Sequence, residues 1–85
     1  MATFSIQIKK SAQKEIKALP APDKKRVIAK IQALADDPRG QDSKKLSAQE
    51  RFRVRVGVYR ILYEIHDDIL IVMIVKVAHR KEVYR

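Results

Sequence analysis

The stretch Phe52-Arg53-Val54-Arg55-Val56-Gly57-Val58-Tyr59-Arg60-Ile61-Leu62-Tyr63-Glu64-Ile65 decides the fold of this chain. Phe52, Val54 and Val56 alternate with Arg51, Arg53 and Arg55, and strict alternation sends the two sets to opposite faces of a β-strand. One face can join a core. The other is a row of guanidinium groups. Beyond Gly57 the apolar alternation continues through Tyr59, Ile61, Tyr63 and Ile65, with Arg60, Leu62 and Glu64 between them. Gly57 suits a tight turn or a bulge, so two strands are expected, at about residues 51–56 and 58–66. If the turn is tight, Arg60 faces the same way as Arg53 and Arg55. Tyr59 and Tyr63, at strand spacing, read as core aromatics.

Working outward, Asp67-Asp68 reads as a hairpin turn. Residues 69–77 are apolar and β-branched, the pattern of a strand covered on both faces. Residues 78–85 form a charged tail, with a short strand or turn at Glu82-Val83-Tyr84. On the other side, residues 38–49 are polar and read as a loop, holding Arg39, Asp42, Lys44 and Lys45. Val27, Ile28, Ile31, Leu34 and Ala35 mark an amphipathic helix over residues 22–36, whose outer face carries Lys24, Lys25, Arg26 and Lys30. Pro20-Ala21-Pro22 separates it from a shorter helix over residues 11–19, with Ser11 as N-cap and Ala12, Ile16 and Leu19 as its stripe. Residues 3–8 alternate Phe4, Ile6 and Ile8 with polar neighbours, a strand with one buried face. The expected fold is α+β, one domain over residues 1–85 in the order β-α-α-β-β-β. A small antiparallel sheet is covered on one face by an αα-hairpin. Nothing in the pattern covers the other face.

The totals narrow the function. A chain of 85 residues buries only about 60–65 % of its extended surface, so a stabilising partner is plausible on size alone. Nineteen Lys and Arg against ten acidic residues give a net charge of +9, which favours a polyanionic partner. No cysteine is present, so thiolate metal sites and disulfides are excluded. Two histidines far apart in sequence give no metal site, and no cofactor is expected. Met1 to Ser5 carries no secretory h-region and no apolar run approaches the roughly 20 residues of a membrane span. A cytoplasmic location with no membrane partner is expected.

Arg53, Arg55, Arg60, Arg80 and Tyr84 form the candidate site. Several guanidiniums around one surface suit a phosphodiester, because each donates two parallel hydrogen bonds to phosphate oxygens. When a 2′-hydroxyl attacks the adjacent phosphate, negative charge grows on the phosphorane oxygens, and preorganised cations stabilise it without a metal. Each single arginine also fits the ordinary solvated side of an amphipathic strand. Like charges gathered on one face are less ordinary, since surfaces intersperse signs. Lys24, Lys25, Arg26 and Lys30 read mainly as a solvated helix face, with Lys44 and Lys45 as further candidate RNA contacts. Tyr84 could pack on the sheet edge, stack on a base or transfer a proton. His79 is a second candidate proton acceptor.

The run Arg53-Val54-Arg55-Val56-Gly57-Val58-Tyr59-Arg60, together with His79-Arg80-Lys81-Glu82-Val83-Tyr84, resembles the RelE toxins of the RelE/ParE superfamily over nearly the whole chain. The resemblance implies a toxin of a type II toxin–antitoxin system that enters the 70S ribosomal A site. There it cuts mRNA by metal-free 2′-hydroxyl attack, leaving a 2′,3′-cyclic phosphate. It implies a RelB-type antitoxin, acidic or amphipathic and partly disordered alone. By position, Arg53 and Arg55 match strand sites often filled by lysine, Arg60 the phosphate-clamping arginine, Arg80 the C-terminal arginine and Tyr84 the tyrosine near the substrate. Arginine does not deprotonate, so the proton acceptor falls to Tyr84, His79 or water, with Tyr84 better placed. Some relatives carry a further C-terminal helix, which is expected to be missing after Arg85. Two other functions stand beside the endoribonuclease: a ParE-type inhibitor of DNA gyrase with the same fold, and a basic nucleic-acid-binding module.

Overall fold

The computed structural model describes residues 3–46 and 51–81. The elements run β1 (Ser5–Ile8), α1 (Lys10–Lys17), α2 (Ala21–Leu34), β2 (Lys44–Lys45), β3 (Arg51–Val56), β4 (Tyr59–His66) and β5 (Ile71–His79). The strands form one five-stranded sheet in the order β1-β5-β4-β3-β2. The α+β class and the helix pair are as the sequence predicts.

The sheet is mixed, where the sequence reading expects an antiparallel one. β1 pairs with β5 in parallel, Ser5 opposite Ile71 and Ile8 opposite Ile74. Alternation tells which residues share a face but not which way a strand runs, and the long connection through both helices allows the parallel return. β2, inside the expected loop, adds a short edge strand with Lys44 opposite Arg53 and Lys45 opposite Phe52. Two residues are too few to show a period. The expected strand at Glu82-Val83-Tyr84 lies outside the described residues.

Between β3 and β4, Val56 pairs with Tyr59 across a two-residue turn. Gly57 sits at φ +58 in its first position, while Val58 is not left-handed. This fits the II′ form, whose twist matches the flanking strands and whose first position wants glycine. β5 starts at Ile71 rather than Ile69. Ile69 and Leu70 belong to the preceding turn, where Ile69 is 60 % exposed and Leu70 adopts φ +53, a conformation uncommon for a side chain of its size. Nor is β5 equally covered on both faces: Val72, Ile74, Val77 and Ala78 are buried, and Ile71, Met73 and Val75 are half-buried.

The core lies between the sheet and the helices. Ala12 and Ile16 of α1 and Val27, Ile31 and Leu34 of α2 meet Val54, Ile61, Tyr63, Ile65, Val72, Ile74 and Val77. Phe52, Val56 and Tyr59 pack at its margin. α2 ends at Leu34, and Ile28, counted in its apolar stripe by spacing, is 39 % exposed. α1 starts one residue earlier than expected, with Lys9 at the N-cap and no side-chain cap. Ser11 is inside the helix, and the junction is tied instead by Gln13 Nε2 donating to Ile8 O at 2.9 Å and by the Lys9 amide donating to Ile74 O at 3.0 Å. β1 ends at Ile8, so β5 runs past it with a bare edge. Glu15 of α1 covers that edge: Oε1 accepts the Val77 amide and Oε2 accepts Lys76 Nζ, both at 2.9 Å.

Candidate nucleic-acid interface

Register places the arginines. Val54 is 1 % exposed on the helix side, so its neighbours Arg53 and Arg55 face away from the helices. The II′ turn brings Arg60 of β4 directly opposite Arg55 of β3. Directly opposed residues have Cβ atoms about 4.5–5.5 Å apart, so two guanidiniums project from adjacent points on one face. The next row of the same face reads Lys44, Arg53, Leu62 and Lys76 across four strands. None of the described elements packs on this face. Arg55 is exposed, and Arg53 and Arg60 are half-buried, with Nε of Arg60 shielded from solvent. Leu62 and Ala78 lie outside the helix-side core yet are only 6 % and 2 % exposed. They form an apolar floor among the cationic side chains. A groove of about 310 Å³ is lined by Asp42, Lys44, Arg53, Val54 and Arg55.

Among the described residues Arg53 and Arg55 enter no ion pair. The carboxylate on this face is committed at its other end: Glu64 accepts from Arg51 Nε at 3.3 Å and contacts His66 Nε2 at 3.1 Å. Like charges directly opposite one another oppose folding by a fraction of a kcal/mol to about 1 kcal/mol, and an anion between them removes that repulsion. Arg80 follows β5, exposed, its amide donating to Val58 O at 2.7 Å beside the Gly57 turn. Tyr84 lies outside the described residues.

His79 does not join this group. It pairs with Tyr59, and the two rings meet edge-to-face at 5.8 Å on the helix side of the sheet. Its Nδ1 accepts the Lys81 amide at 3.1 Å, so the lone pair on that nitrogen is already engaged. A bulge is the cause. Leu62 pairs with Lys76 and Tyr63 with Ile74, leaving Val75 as an extra residue that inverts the alternation beyond it. Counting by twos from Ile74 would place His79 beside the arginines.

The helix-face cations divide as well. Arg26 pairs with Asp23 at 2.6 Å and Lys30 pairs with Asp42, while Lys24 is half-buried and Lys25 exposed. These four sit on the helix layer, and Lys45 pairs with Phe52, off the row that holds Lys44. Of the residues proposed from sequence, the described structure therefore brings Lys44, Arg53, Arg55 and Arg60 together, with Arg80 at the adjoining turn, and sets His79, Lys24, Lys25, Arg26, Lys30 and Lys45 apart.

The two residues read as plain loop prove structural. Arg39 makes a two-pronged pair with Asp67 at 3.0 and 2.7 Å and lies 5.7 Å over the Phe52 ring. Asp42 holds Lys30. Tyr63, fully buried, donates its hydroxyl hydrogen to Pro38 O at 2.6 Å, and its oxygen meets the Ser43 hydroxyl, also at 2.6 Å, with the serine as donor. Burial pushes its phenol above the usual range. Tyr59 shifts the same way through burial and its bond to Asp23. The Arg26, Lys30 and Arg39 partners hold Asp23, Asp42 and Asp67 below the usual carboxylate range. The loop that carries β2 is thus pinned to the sheet and helix α2, which fixes Lys44 beside Arg53.

Comparison with known proteins agrees with this fold. The profile of the family described as ParE toxin of type II toxin-antitoxin system, parDE, matches residues 6–84. A chain assigned as toxin RelE1 in Methanocaldococcus jannaschii is 31 % identical over 86 residues, covering 96 % of each chain. The structure of the toxin–antitoxin complex RelBE2 from Mycobacterium tuberculosis contains a chain 27 % identical, with a TM-score of 0.85 over 96 % of this chain and 97 % of that one. The archaeal RelE–RelB complex from Pyrococcus horikoshii contains the same fold at a TM-score of 0.84 and 24 % identity, over 95 % and 99 % of the two chains. By that profile match and that identity over nearly its full length, the chain belongs to the RelE/ParE family of type II toxins, as a toxin of RelE type.

Proposed function

We propose that this toxin is a ribosome-dependent mRNA endoribonuclease that blocks translation in the cytoplasm. The observation that carries the reading is the direct opposition of Arg55 and Arg60, with Arg53 and Lys44 beside them, on a sheet face the helices leave open. In this reaction the 2′-hydroxyl oxygen attacks the adjacent phosphorus, the bond to the 5′-oxygen breaks, that oxygen leaves as a hydroxyl with a proton taken from water, and a 2′,3′-cyclic phosphate forms. Arg55 and Arg60 bind the non-bridging oxygens and stabilise their growing charge. Arg53 and Lys44 hold a flanking phosphate, and Arg80 closes the end of the row. The 2′-hydroxyl proton goes to Tyr84 or to water; the engaged Nδ1 of His79 and its place on the helix side argue against that residue. Lys24, Lys25, Arg26, Lys30 and Lys45 would serve the ribosome rather than the reacting phosphate. No cofactor is required.

The relatives in complex with RelB support a RelB-type antitoxin for this chain, acidic where it meets the arginines and ordered on binding. A melting curve with and without that partner tests the pairing, and a large upward shift in Tm is expected. The ParE profile match supports a second reading, inhibition of DNA gyrase without cleavage. Primer extension on mRNA with and without ribosomes, beside a gyrase supercoiling assay, separates the two. Ribosome-dependent cuts with gyrase unaffected support the nuclease; gyrase inhibition without cuts replaces it.

A further inference from the structure

We infer, resting on the RNA-directed reading above, that α1 carries a second RNA surface, a lysine row that grips the phosphate backbone of duplex RNA on the far side of the molecule from the arginines. Lys10, Lys14 and Lys17 recur at steps of four and three, which stacks them along one face of the helix. Ala12 and Ile16 are buried on the opposite face, so the row points to solvent. All three lysines are exposed, as is Lys9 just before them. Among the described residues none of the four enters an ion pair or a side-chain hydrogen bond.

The other helix shows what an ordinary basic helix face looks like in this protein. On α2, Arg26 is answered by Asp23 and Lys30 by Asp42. α1 contains one acid, Glu15, and it is turned inward to the β5 edge and Lys76. Its outer face is left with positive charge alone. Lysines at i,i+4 and i,i+3 repel, which weakens an already short helix. A polyanion relieves that repulsion.

The surroundings of the row select the kind of polyanion. Protein partners are anchored by buried aromatic or aliphatic side chains. Among the described residues the large exposed hydrophobic ones are Ile28, Val58, Ile69 and Leu70, and α1 holds none of them. Single strands are held by stacking bases on aromatic rings, and α1 has no aromatic residue. A duplex backbone needs neither, only point charges along a line. The row spans about 10 Å at 1.5 Å per residue, enough for successive phosphates of one strand. The arginines, with their planar forks, suit a phosphate undergoing reaction; the lysines suit docking.

The test uses the full chain and two RNAs, a 20-base-pair duplex and a single-stranded oligonucleotide with non-cleavable 2′-O-methyl sugars. Binding is followed by fluorescence anisotropy from 50 to 200 mM salt. The variant K10Q/K14Q/K17Q should lower the duplex salt slope by about two to three, near 0.9 per lost contact, and change single-strand affinity by less than about twofold. The variant R53Q/R55Q/R60Q should do the reverse. Circular dichroism melts check that both fold. An unchanged duplex slope in the lysine variant overturns the inference, as does equal loss of both RNAs. An unchanged duplex slope with weakened antitoxin binding assigns the row to a protein partner and also overturns it. If the arginine variant leaves single-strand binding intact, the proposed function of the open face fails while the lysine row is judged separately by the duplex.

Discussion

The two faces of the sheet solve opposite problems. On the helix side, polar groups that enter the interior are satisfied: Tyr63 reaches Pro38 and Ser43, and Tyr59 reaches Asp23. The rest is hydrocarbon packed between the layers. On the open side, Arg55 faces Arg60 across the turn, an arrangement folding alone does not favour. On the proposed function one face carries stability and the other binding, and a substitution should reveal which face it is on by which quantity it changes.

The largest effect is expected on the covered face. Ile61, fully buried, shares β4 with Arg60. Ile61→Ala should lower unfolding free energy by about 2–5 kcal/mol in a urea titration, with cleavage per folded molecule retained. Its neighbour should behave inversely. Arg60→Ala is expected to slow single-turnover cleavage on ribosomes about 10²-fold or more, equivalent to about 2.7 kcal/mol of transition-state stabilisation, with a much smaller change in the urea midpoint. If Ile61→Ala and Arg60→Ala move both quantities alike, the division between faces does not hold.

Tyr63→Phe comes next, at about 1–3 kcal/mol, because it strips the partner from the Pro38 carbonyl and the Ser43 hydroxyl. It also changes the pH profile. The folded state holds the Tyr63 proton more tightly than the unfolded chain does, so stability is fully present below about pH 10 and falls as pH rises toward the higher folded value. The variant should lose part of that alkaline slope and keep the part due to Tyr59, which shifts in the same direction. Chemical denaturation at pH 8 to 11 measures it.

The smallest effect belongs to the rim. Asp23, Asp42 and Asp67 have folded pKa values below their unfolded ones, so their contribution is present above about pH 4 and is lost as pH falls through the folded values. These carboxylates are exposed and screened by salt, and Asp67→Asn should flatten the acid limb of a midpoint-versus-pH curve only slightly. A large effect there would mean that the loop carrying β2 depends on the Arg39 clamp.

Legibility followed the same division. The alternation from Phe52 to Ile65 was readable because apolar and charged residues differ sharply and a period of two has only two phases. Gly57 supplied the turn that keeps the phase across the hairpin. Beyond Ile71 the information runs out: Ile71-Val72-Met73-Ile74-Val75 is apolar at every position, so a one-residue bulge leaves no mark. That silence is why His79 reads as a companion of the arginines and is found beside Tyr59. The direction of β1 was hidden for a different reason, since pairing partners far apart leave no trace in local composition. Arg39 and Asp42 were missed because their partners, Asp67 and Lys30, are distant in sequence or on another element.

The parallel pairing of β1 with β5 also bears on when the protein comes into being. β1 leaves the ribosome early, but its partner is the last of the described strands in chain order, and β5 lies between β1 and the β2-β3-β4 meander. A growing chain that has not yet reached Ile71 has no strand to link its beginning to its hairpin, and Val54 and Ile61 lack the strand that completes their layer. The loop that must close is nearly the whole molecule, so closure is entropically costly and comes late. The sheet that carries the arginines is therefore complete only once β5 has been made. A chain cut short before Ile71 lacks the strand that joins β1 to the β2-β3-β4 meander, and its sheet is expected to stay in two unjoined pieces.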